Sequence, residues 1–233
     1  ADLFLKNTMM TLNILEASKN HGVQRLINPI SNCAYPGEAS LFKESEFWDG
    51  PLHESVKVYG SVRKLSTVGS WAYAKQHNLD VISLILSNMY GPEDHFEEKR
   101  SHALGALIMK MVQGRIDDSA QVVVWGTGLP VREWMFVDDG AESLIRGLDI
   151  PKTIDPINIG VGKGISIKDL ANIIKLETHY PGELVFDESK PDGAAFKTVD
   201  GSTGHAIFQW SPQKDLLEGI KETVKWYENS IKV

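Results

Sequence analysis

Two stretches decide how this sequence folds: Ser31-Asn32-Cys33-Ala34-Tyr35-Pro36, which follows an apolar run over residues 23–30, and Tyr59-Gly60-Ser61-Val62-Arg63-Lys64, which opens a helical pattern. An apolar run that breaks into small polar residues is typical of the carboxyl end of a parallel strand, where open α/β sheets place their sites. The two stretches therefore predict a site between a strand end and the helix that follows it.

Helices and strands alternate around these stretches. Helical spacing of apolar positions predicts helices over residues 2–19 and 59–75, and compact apolar runs predict strands over 23–30 and 81–86. The order helix, strand, helix, strand indicates a parallel α/β sheet. In the second helix the spacing predicts a buried stripe made of Val62, Leu65, Val68, Trp71 and Ala72.

The pattern changes after Pro92, where segments come in mixed order and suggest a smaller second lobe. The glycine-rich segments 126–128 and 160–164 lie outside any βαβ unit of the spacing that binds dinucleotides, so we interpret both as turns. The predicted elements are helices at about residues 101–113, 138–148 and after a capping box at 166–169, strands at 122–125, 157–159 and 184–187, and a last helix opened by Ser211-Pro212.

Composition and charge restrict the class of protein. The 233 residues are 42% hydrophobic and 24% charged, as in a globular domain, and the net charge of -7 argues against a nucleic-acid or anionic-membrane partner. The sequence has one cysteine, no spacing typical of a metal site and no apolar run long enough for a membrane span. We expect a protein of the reducing cytoplasm without a bound metal.

Tyr59 and Arg63 stand four positions apart and therefore share one face of their helix. A neighbouring cation stabilises a phenolate, which makes the phenol a better proton donor near neutral pH. Together with Ser31, Tyr59 could donate hydrogen bonds to a carbonyl that becomes an alkoxide. The spacing alone is weak, because a tyrosine with a basic residue four positions later usually marks a solvated helix face.

Motifs across nearly the whole chain resemble the extended short-chain dehydrogenase/reductases, and among them the GDP-L-fucose synthases, which are GDP-4-keto-6-deoxymannose epimerase-reductases. The Ser-x-Cys with a distant Ser-His is more specific than the superfamily's Tyr motif. The matching segments, in the order of that family, are residues 31–36, 50–53, 87–94, 101–102, 125–128, 132–133, 137–139, 157–162 and 190–193.

The resemblance implies a division of the chain and a reaction. Residues 1–92 would be the C-terminal part of a Rossmann-type dinucleotide-binding domain without its first strands, to which about residues 121–150 return, and residues 93–233 mainly a substrate-binding lobe. Ser31 and Tyr59 would donate to the C4 carbonyl of the sugar during reduction by NADPH, although NAD is also possible. Cys33 and His102 would move protons at C3 and C5.

The resemblance also implies binding residues and a partner. A homodimer would form through the helices over residues 3–19 and 59–75. Residues expected at the cofactor are Pro29, Ser31, Tyr59, Arg63, Leu86, Ser87, Asn88, Met89 and His102, and those expected at the nucleotide-sugar are Asn88, Lys110, Trp125, Arg132 and Asp192. An arginine suits a bidentate grip on phosphate, and a tryptophan offers a stacking plane.

The sequence departs from the family pattern in three places. No G-x-x-G-x-x-G follows an initial strand, so these residues alone would hold only the nicotinamide end of a cofactor, and we expect the chain to be a piece of a longer product. The family's lysine four positions after Tyr59 is Arg63, followed by Lys64. Asn32 replaces the second serine of Ser-Ser-Cys. The site is therefore better supported for epimerisation than for reduction.

Two alternatives stay open. One is another nucleotide-sugar epimerase, ketoreductase or dehydratase of the extended family, against which Cys33 and His102 argue. The other is a catalytically degraded binding or scaffold protein, which the replacement at Arg63 and the absent glycine loop favour.

Overall fold

The chain opens with two long helices and two parallel strands in a computed structural model that describes residues 1–97 and 100–231. Helix α1 spans Asp2–Asn20, strand β1 spans Arg25–Ser31, helix α2 spans Lys57–His77 and strand β2 spans Asp80–Leu86. The two strands pair in parallel from Arg25 beside Asp80 to Ser31 beside Leu86. Because both strands end at the same level, the residues that follow them meet at one edge of the sheet.

The predicted parallel α/β fold is confirmed. The other helices are α3 (Ala103–Ile116), α4 (Val137–Arg146), α5 (Ile167–Glu177), α6 (Ser202–Phe208) and α7 (Leu216–Ser230), and the other strands are β3 (Asn88–Tyr90), β4 (Gln121–Trp125), β5 (Val131–Phe136), β6 (Ile157–Ile159), β7 (Gly164–Ser166), β8 (Glu183–Asp187) and β9 (Phe196–Lys197). Strand β6 pairs in parallel with β2, which gives a sheet of order β1-β2-β6, while β3, β5, β7 and β9 form a second sheet and β4 pairs with β8.

Strand β6 connects the two parts of the chain that the sequence analysis separated. It comes after residue 92, yet Leu84 to Leu86 of β2 pair with Ile157 to Ile159. The chain passes directly from the first sheet into the second, since β3 follows β2 after one residue, Ser87. The predicted domain boundary near residue 92 stays a prediction.

Helix α2 buries small and polar residues, and the predicted apolar stripe is wrong at two positions. Val68 and Trp71 are 51% and 49% exposed, whereas Ser66, Thr67 and Ser70 are buried. Asn28 of β1 explains the inversion, because its side chain bonds the hydroxyls of Ser66 and Ser70 at 3.1 and 3.0 Å. Small side chains allow the helix to lie close to β1, and the network satisfies the polar groups it buries.

The last helix begins later than predicted. Helix α7 starts at Leu216, and the Asp215 side chain caps it by accepting the N–H groups of Leu217 and Glu218 at 2.9 and 3.4 Å. Ser211-Pro212 precedes this cap without opening the helix, since an aspartate that accepts two orphan N–H groups is the stronger start. The capping box of α5 is confirmed: Ser166 Oγ accepts the Asp169 N–H at 3.0 Å.

The glycine-rich segments are turns, as predicted. Gly126, Gly128 and Gly162 have φ angles of +83°, +78° and +74°, which place them in the left-handed region that favours glycine. Within the described part of the chain, no helix combines the length and the apolar character that a membrane span requires.

Candidate active site

A cleft of about 580 Å³ opens where β1 and β2 end. Every residue that the sequence assigned to the cofactor lies in its wall, and so do most of those assigned to catalysis. The wall consists of Pro29, Ile30, Ser31, Tyr59, Arg63, Leu86, Ser87, Asn88, Met89, Tyr90, Gly91, Pro92, Glu93, Asp94, His102 and Val137. The structure thus brings together residues that are up to 108 positions apart in the sequence, from Pro29 to Val137.

Cys33 lies beside this cleft and not in its wall. It sits on a short 3-10 turn, Asn32–Ala34, which Ser31 caps: the Cys33 N–H donates to Ser31 Oγ at 3.2 Å. Gly60 of α2 covers the turn from the other side, where a Cβ atom would come within 2.3 Å of the Cys33 carbonyl oxygen. Only glycine permits this approach, which sets Tyr59 next to the strand end.

Arg63 stacks on Tyr59, as the shared helix face predicted. Its guanidinium carbon lies 4.7 Å from the centre of the phenol ring, and Nη2 donates to Asn7 Oδ1 of α1 at 3.2 Å. Lys64 does not take over that position. Its ammonium donates to the Phe47 carbonyl at 2.7 Å, away from Tyr59, and burial lowers its pKa.

Asn88 and His102 complete the cleft from the second half of the chain. The Asn88 side chain donates from Nδ2 to the Glu133 carbonyl at 3.0 Å, and its backbone pairs with Trp134. His102 is the exposed residue directly before α3, where its side chain makes no cap and is available to the cleft.

A second cleft of about 260 Å³ holds Lys110 and Trp125. The Trp125 ring is 58% exposed, and the ammonium groups of Lys110 and Lys190 lie 5.6 and 5.7 Å from its centre. Ser101 and Ala103 line this cleft while His102 lines the larger one, so the start of α3 separates the two. An exposed indole flanked by cations suits a flat ligand that carries negative charge.

Arg132 and Asp192 lie near that second cleft but outside its lining. Asp192 accepts the N–H and the hydroxyl of Thr127 at 2.8 and 2.7 Å, and so holds the turn that follows Trp125. Arg132 donates from Nη2 to the Asp192 carbonyl at 3.3 Å. Burial lowers the pKa of Arg132, and the nearby Asp192 and Cys33 oppose that shift. Asp192 and Arg132 therefore connect the turn after Trp125 with the surroundings of Cys33.

Two residues at the site were not predicted from the sequence. Glu133 is fully buried and accepts the N–H groups of Val161 at 2.5 Å and Val199 at 2.8 Å, while burial raises the pKa of its carboxyl. Lys197 of β9 places its ammonium 3.4 Å from Cys33 Sγ. Glu133 belongs to a quoted motif without an assigned role, and no spacing in the sequence points to Lys197.

The larger cleft fits the nicotinamide end of a dinucleotide. Arg63 Nε is buried and has no hydrogen-bond partner within residues 1–97 and 100–231, so it can donate to a bound ligand. Ser31, Tyr59 and His102 add hydroxyl and imidazole groups beside the apolar side chains of the wall. A sugar hydroxyl or a carboxamide matches such a mixture of donors and apolar surface.

The sequence is similar to known enzymes that act on nucleotide-sugars. The sequence profile of the NAD dependent epimerase/dehydratase family matches residues 1–160. The chain is 36% identical over 233 residues to the probable GDP-L-fucose synthase 1 of Oryza sativa subsp. japonica, a match that covers 99% of this chain and 71% of that protein.

Solved structures give the same comparison at the level of the fold. A GDP-6-OMe-4-keto-L-xylo-heptose reductase from C. jejuni superimposes with a TM-score of 0.92 at 27% identity, over 99% of this chain and 77% of that one. A GDP-L-fucose synthetase from Naegleria fowleri bound to NADP has a TM-score of 0.90 at 26% identity, over 99% and 71%.

Proposed function

Since the chain belongs to the NAD dependent epimerase/dehydratase family, we propose that it converts GDP-4-keto-6-deoxy-D-mannose to GDP-L-fucose, by epimerisation at C3 and C5 and then reduction at C4. The observation that carries this proposal is the grouping of side chains at the edge of the first sheet. One cleft there is lined by Ser31, Tyr59, Asn88 and His102, and the Cys33 N–H donates a hydrogen bond to Ser31 beside it. The identity of 36% to a probable GDP-L-fucose synthase supports the choice of sugar.

Epimerisation needs a base and an acid next to a ketone. In the proposed step the Cys33 thiolate takes the proton from the carbon beside the C4 carbonyl, so a C–H bond breaks and an S–H bond forms. The electron pair moves into an enolate with its charge on the C4 oxygen, and His102 returns a proton to the same carbon from the opposite face. A thiol and an imidazole are both suited to proton transfer near neutral pH.

Reduction at C4 uses the other pair of residues. Ser31 and Tyr59 would donate hydrogen bonds to the C4 oxygen, and Tyr59 would supply the proton as the oxygen becomes a hydroxyl. A bound NADPH supplies the hydride. Arg63, stacked on the Tyr59 ring, holds a positive charge beside the phenol throughout this step.

The nucleotide of the substrate would occupy the second cleft. The exposed Trp125 ring would stack on the guanine, while Lys110 and Arg132 would bind the diphosphate. Asp192 fixes the turn after Trp125 through Thr127 and so sets the angle of the stacking plane. For the cofactor, the likeness to a synthetase that binds NADP favours NADP over NAD.

We further propose a homodimer in the cytoplasm, with residues 93–233 mainly forming the substrate lobe. Leu5, Met9 and Leu12 of α1 are 57%, 53% and 47% exposed, and Trp71 of α2 is 49% exposed. Such a run of exposed apolar residues on packed helices is typical of an interface. A reducing compartment keeps Cys33, the single cysteine, as the free thiol that the mechanism needs.

The proposed reaction is tested by separating its two halves. With GDP-4-keto-6-deoxy-D-mannose in deuterated water, the protein should exchange hydrogen at C3 and C5 without NADPH and should oxidise NADPH when it is present. The variant Tyr59→Phe should lower NADPH oxidation by about 10²–10⁴-fold and retain the exchange, because it removes the general acid of reduction only. Exchange should be lost instead in His102→Asn.

Tyr73→Phe, which changes a tyrosine on the same helix that faces α1, is the matched control and should keep both activities. If the unchanged protein shows neither exchange nor NADPH oxidation, this reaction is excluded. If the protein then reduces another GDP-4-keto sugar, the second candidate, a GDP-heptose reductase, is supported, in line with its TM-score of 0.92 to such an enzyme. Binding of GDP-sugars without turnover, also in Arg63→Lys, would indicate a binding protein.

A further inference from the structure

The surroundings of Cys33 contain a cation that the proposed mechanism has not used. Lys197 Nζ lies 3.4 Å from Cys33 Sγ, within hydrogen-bond range for sulfur. Both residues are half-buried, so the contact is shielded from solvent on part of its surface. An ammonium group at this distance donates to the sulfur and is attracted most strongly to its anionic form.

The backbone on either side of this contact is fixed. Strand β9 pairs with β5, which sets Lys197 beside Arg132. Directly after it, the Thr198 carbonyl accepts the Phe42 N–H at 2.8 Å, and the Val199 N–H donates to the buried Glu133 at 2.8 Å. On the other side Ser31 and Gly60 hold the turn that carries Cys33.

Two positively charged side chains, those of Lys197 and Arg132, lie near the sulfur. Within the described ranges, Lys197 forms no ion pair with a carboxylate, and its hydrogen bond is to the sulfur. Arg132, its neighbour across β5 and β9, lies close enough to Cys33 for their charges to interact. Arg132 itself is occupied by the carbonyl groups of Val131 and Asp192, which leaves Lys197 as the direct donor.

We propose that Lys197 is a positioning residue for the epimerisation: its ammonium stabilises the thiolate of Cys33 and orients the sulfur for proton removal. The role in epimerisation rests on the proposed function, whereas the contact between Lys197 and Cys33 does not. When the thiolate takes the proton from the sugar carbon, the sulfur becomes neutral, and the charge moves to the C4 oxygen near Ser31 and Tyr59. Lys197 keeps its proton throughout.

Alkylation measures the contact independently of any substrate. Cys33 is the single cysteine, so the iodoacetamide uptake of the whole protein, followed by mass spectrometry, reports on this sulfur alone. The variant Lys197→Met should slow alkylation about tenfold, because it removes the ammonium group that donates to the sulfur and attracts its nucleophilic, anionic form. Lys197→Arg keeps the charge and should restore most of the rate. Lys225→Met, at an exposed position of α7, is the control.

The reaction is then followed with GDP-4-keto-6-deoxy-D-mannose in deuterated water. Lys197→Met should slow hydrogen exchange at C3 and C5 about as much as alkylation, with KM nearly unchanged and Lys197→Arg again restoring it. A rise in KM with an unchanged alkylation rate would overturn the proposal and make Lys197 a phosphate-binding residue. If the unchanged protein shows no exchange while Lys197→Met still slows alkylation, the proposed reaction is wrong and the role of Lys197 towards Cys33 stands.

Discussion

At the scale of single residues, Glu133 connects three segments near the site. Its carboxylate accepts the N–H groups of Val161, after β6, and of Val199, after β9, while its carbonyl accepts the Asn88 side chain. One buried acid therefore joins Asn88, in the wall of the larger cleft, to the segment that follows Lys197. The isosteric amide of glutamine cannot replace a carboxylate whose two oxygens both accept, because the amide has only one acceptor atom.

Glu133→Gln should reduce the free energy of unfolding by about 1–3 kcal/mol, since the new NH₂ group faces an N–H donor and leaves it without a partner. Urea unfolding followed by circular dichroism measures this. Glu177→Gln changes a half-buried carboxylate at the end of α5 whose side chain makes no hydrogen bond or ion pair among the described residues, and it should change the urea midpoint little. A Glu133→Gln protein as stable as the unchanged one would show that the hydrogen bonds of Glu133 do not hold these segments together.

The residues of the site differ in how far the sequence could reveal them. Ser31, Tyr59, Arg63 and His102 could be predicted to meet, because motifs named them and parallel strands end at one edge. The contact of Cys33 with Lys197 could not, because the two are 164 positions apart and β9 has only two residues, too few for any period.

At the scale of elements, the sequence predicted the long, strongly periodic segments and missed β5. The strand reads Val-Arg-Glu-Trp-Met-Phe, and its last four residues are buried regardless of their polarity. A strand covered on both faces shows no alternation, and a charged residue at its centre argues against a core strand. The same problem appears in α2, where burial follows a polar network instead of an apolar stripe.

The contact between α1 and α2 should depend on pH. Glu16 accepts Lys19 Nζ at 2.6 Å and the Tyr73 hydroxyl at 2.8 Å, and these hydrogen bonds lower the pKa of Glu16 from 4.5 to about 2. A lowered folded-state pKa gives stability that is present above the unfolded value and is lost as the pH falls through the folded one. We therefore expect the urea midpoint of the unchanged protein to exceed that of Glu16→Gln above pH 4.5.

The difference should shrink as the pH falls from 4.5 towards 2, and parallel urea titrations at several pH values measure it. Tyr73→Phe removes one of the donors to Glu16 and leaves those of Lys19 and Asn20, so it should show a smaller dependence of the same sign. If the difference in urea midpoint between the unchanged protein and Glu16→Gln stays constant with pH, the hydrogen bonds of Glu16 do not lower its pKa in the folded protein.

At the scale of the whole molecule, the exposed apolar side chains of α1 predict association of two copies. Met9→Glu places a charge in the proposed interface, where burial without a partner is costly, and should raise the dimer dissociation constant by about tenfold or more. Sedimentation velocity measures it. Leu176→Glu, which changes an apolar residue that is 72% exposed on α5, is the control and should leave assembly unchanged. An unchanged protein that sediments only as a monomer would contradict the dimer.

The pairing of β2 with β6 has a consequence for how the protein is made. The residues of β2 from Val81 to Leu86 are all buried, yet their second neighbour, Ile157–Ile159, is synthesised only after α3, β4, β5 and α4. During translation one edge of this apolar strand stays unpaired while much of the chain emerges, and such edges attract other strands. Folding on the ribosome should therefore depend on chaperones that cover this edge until β6 arrives.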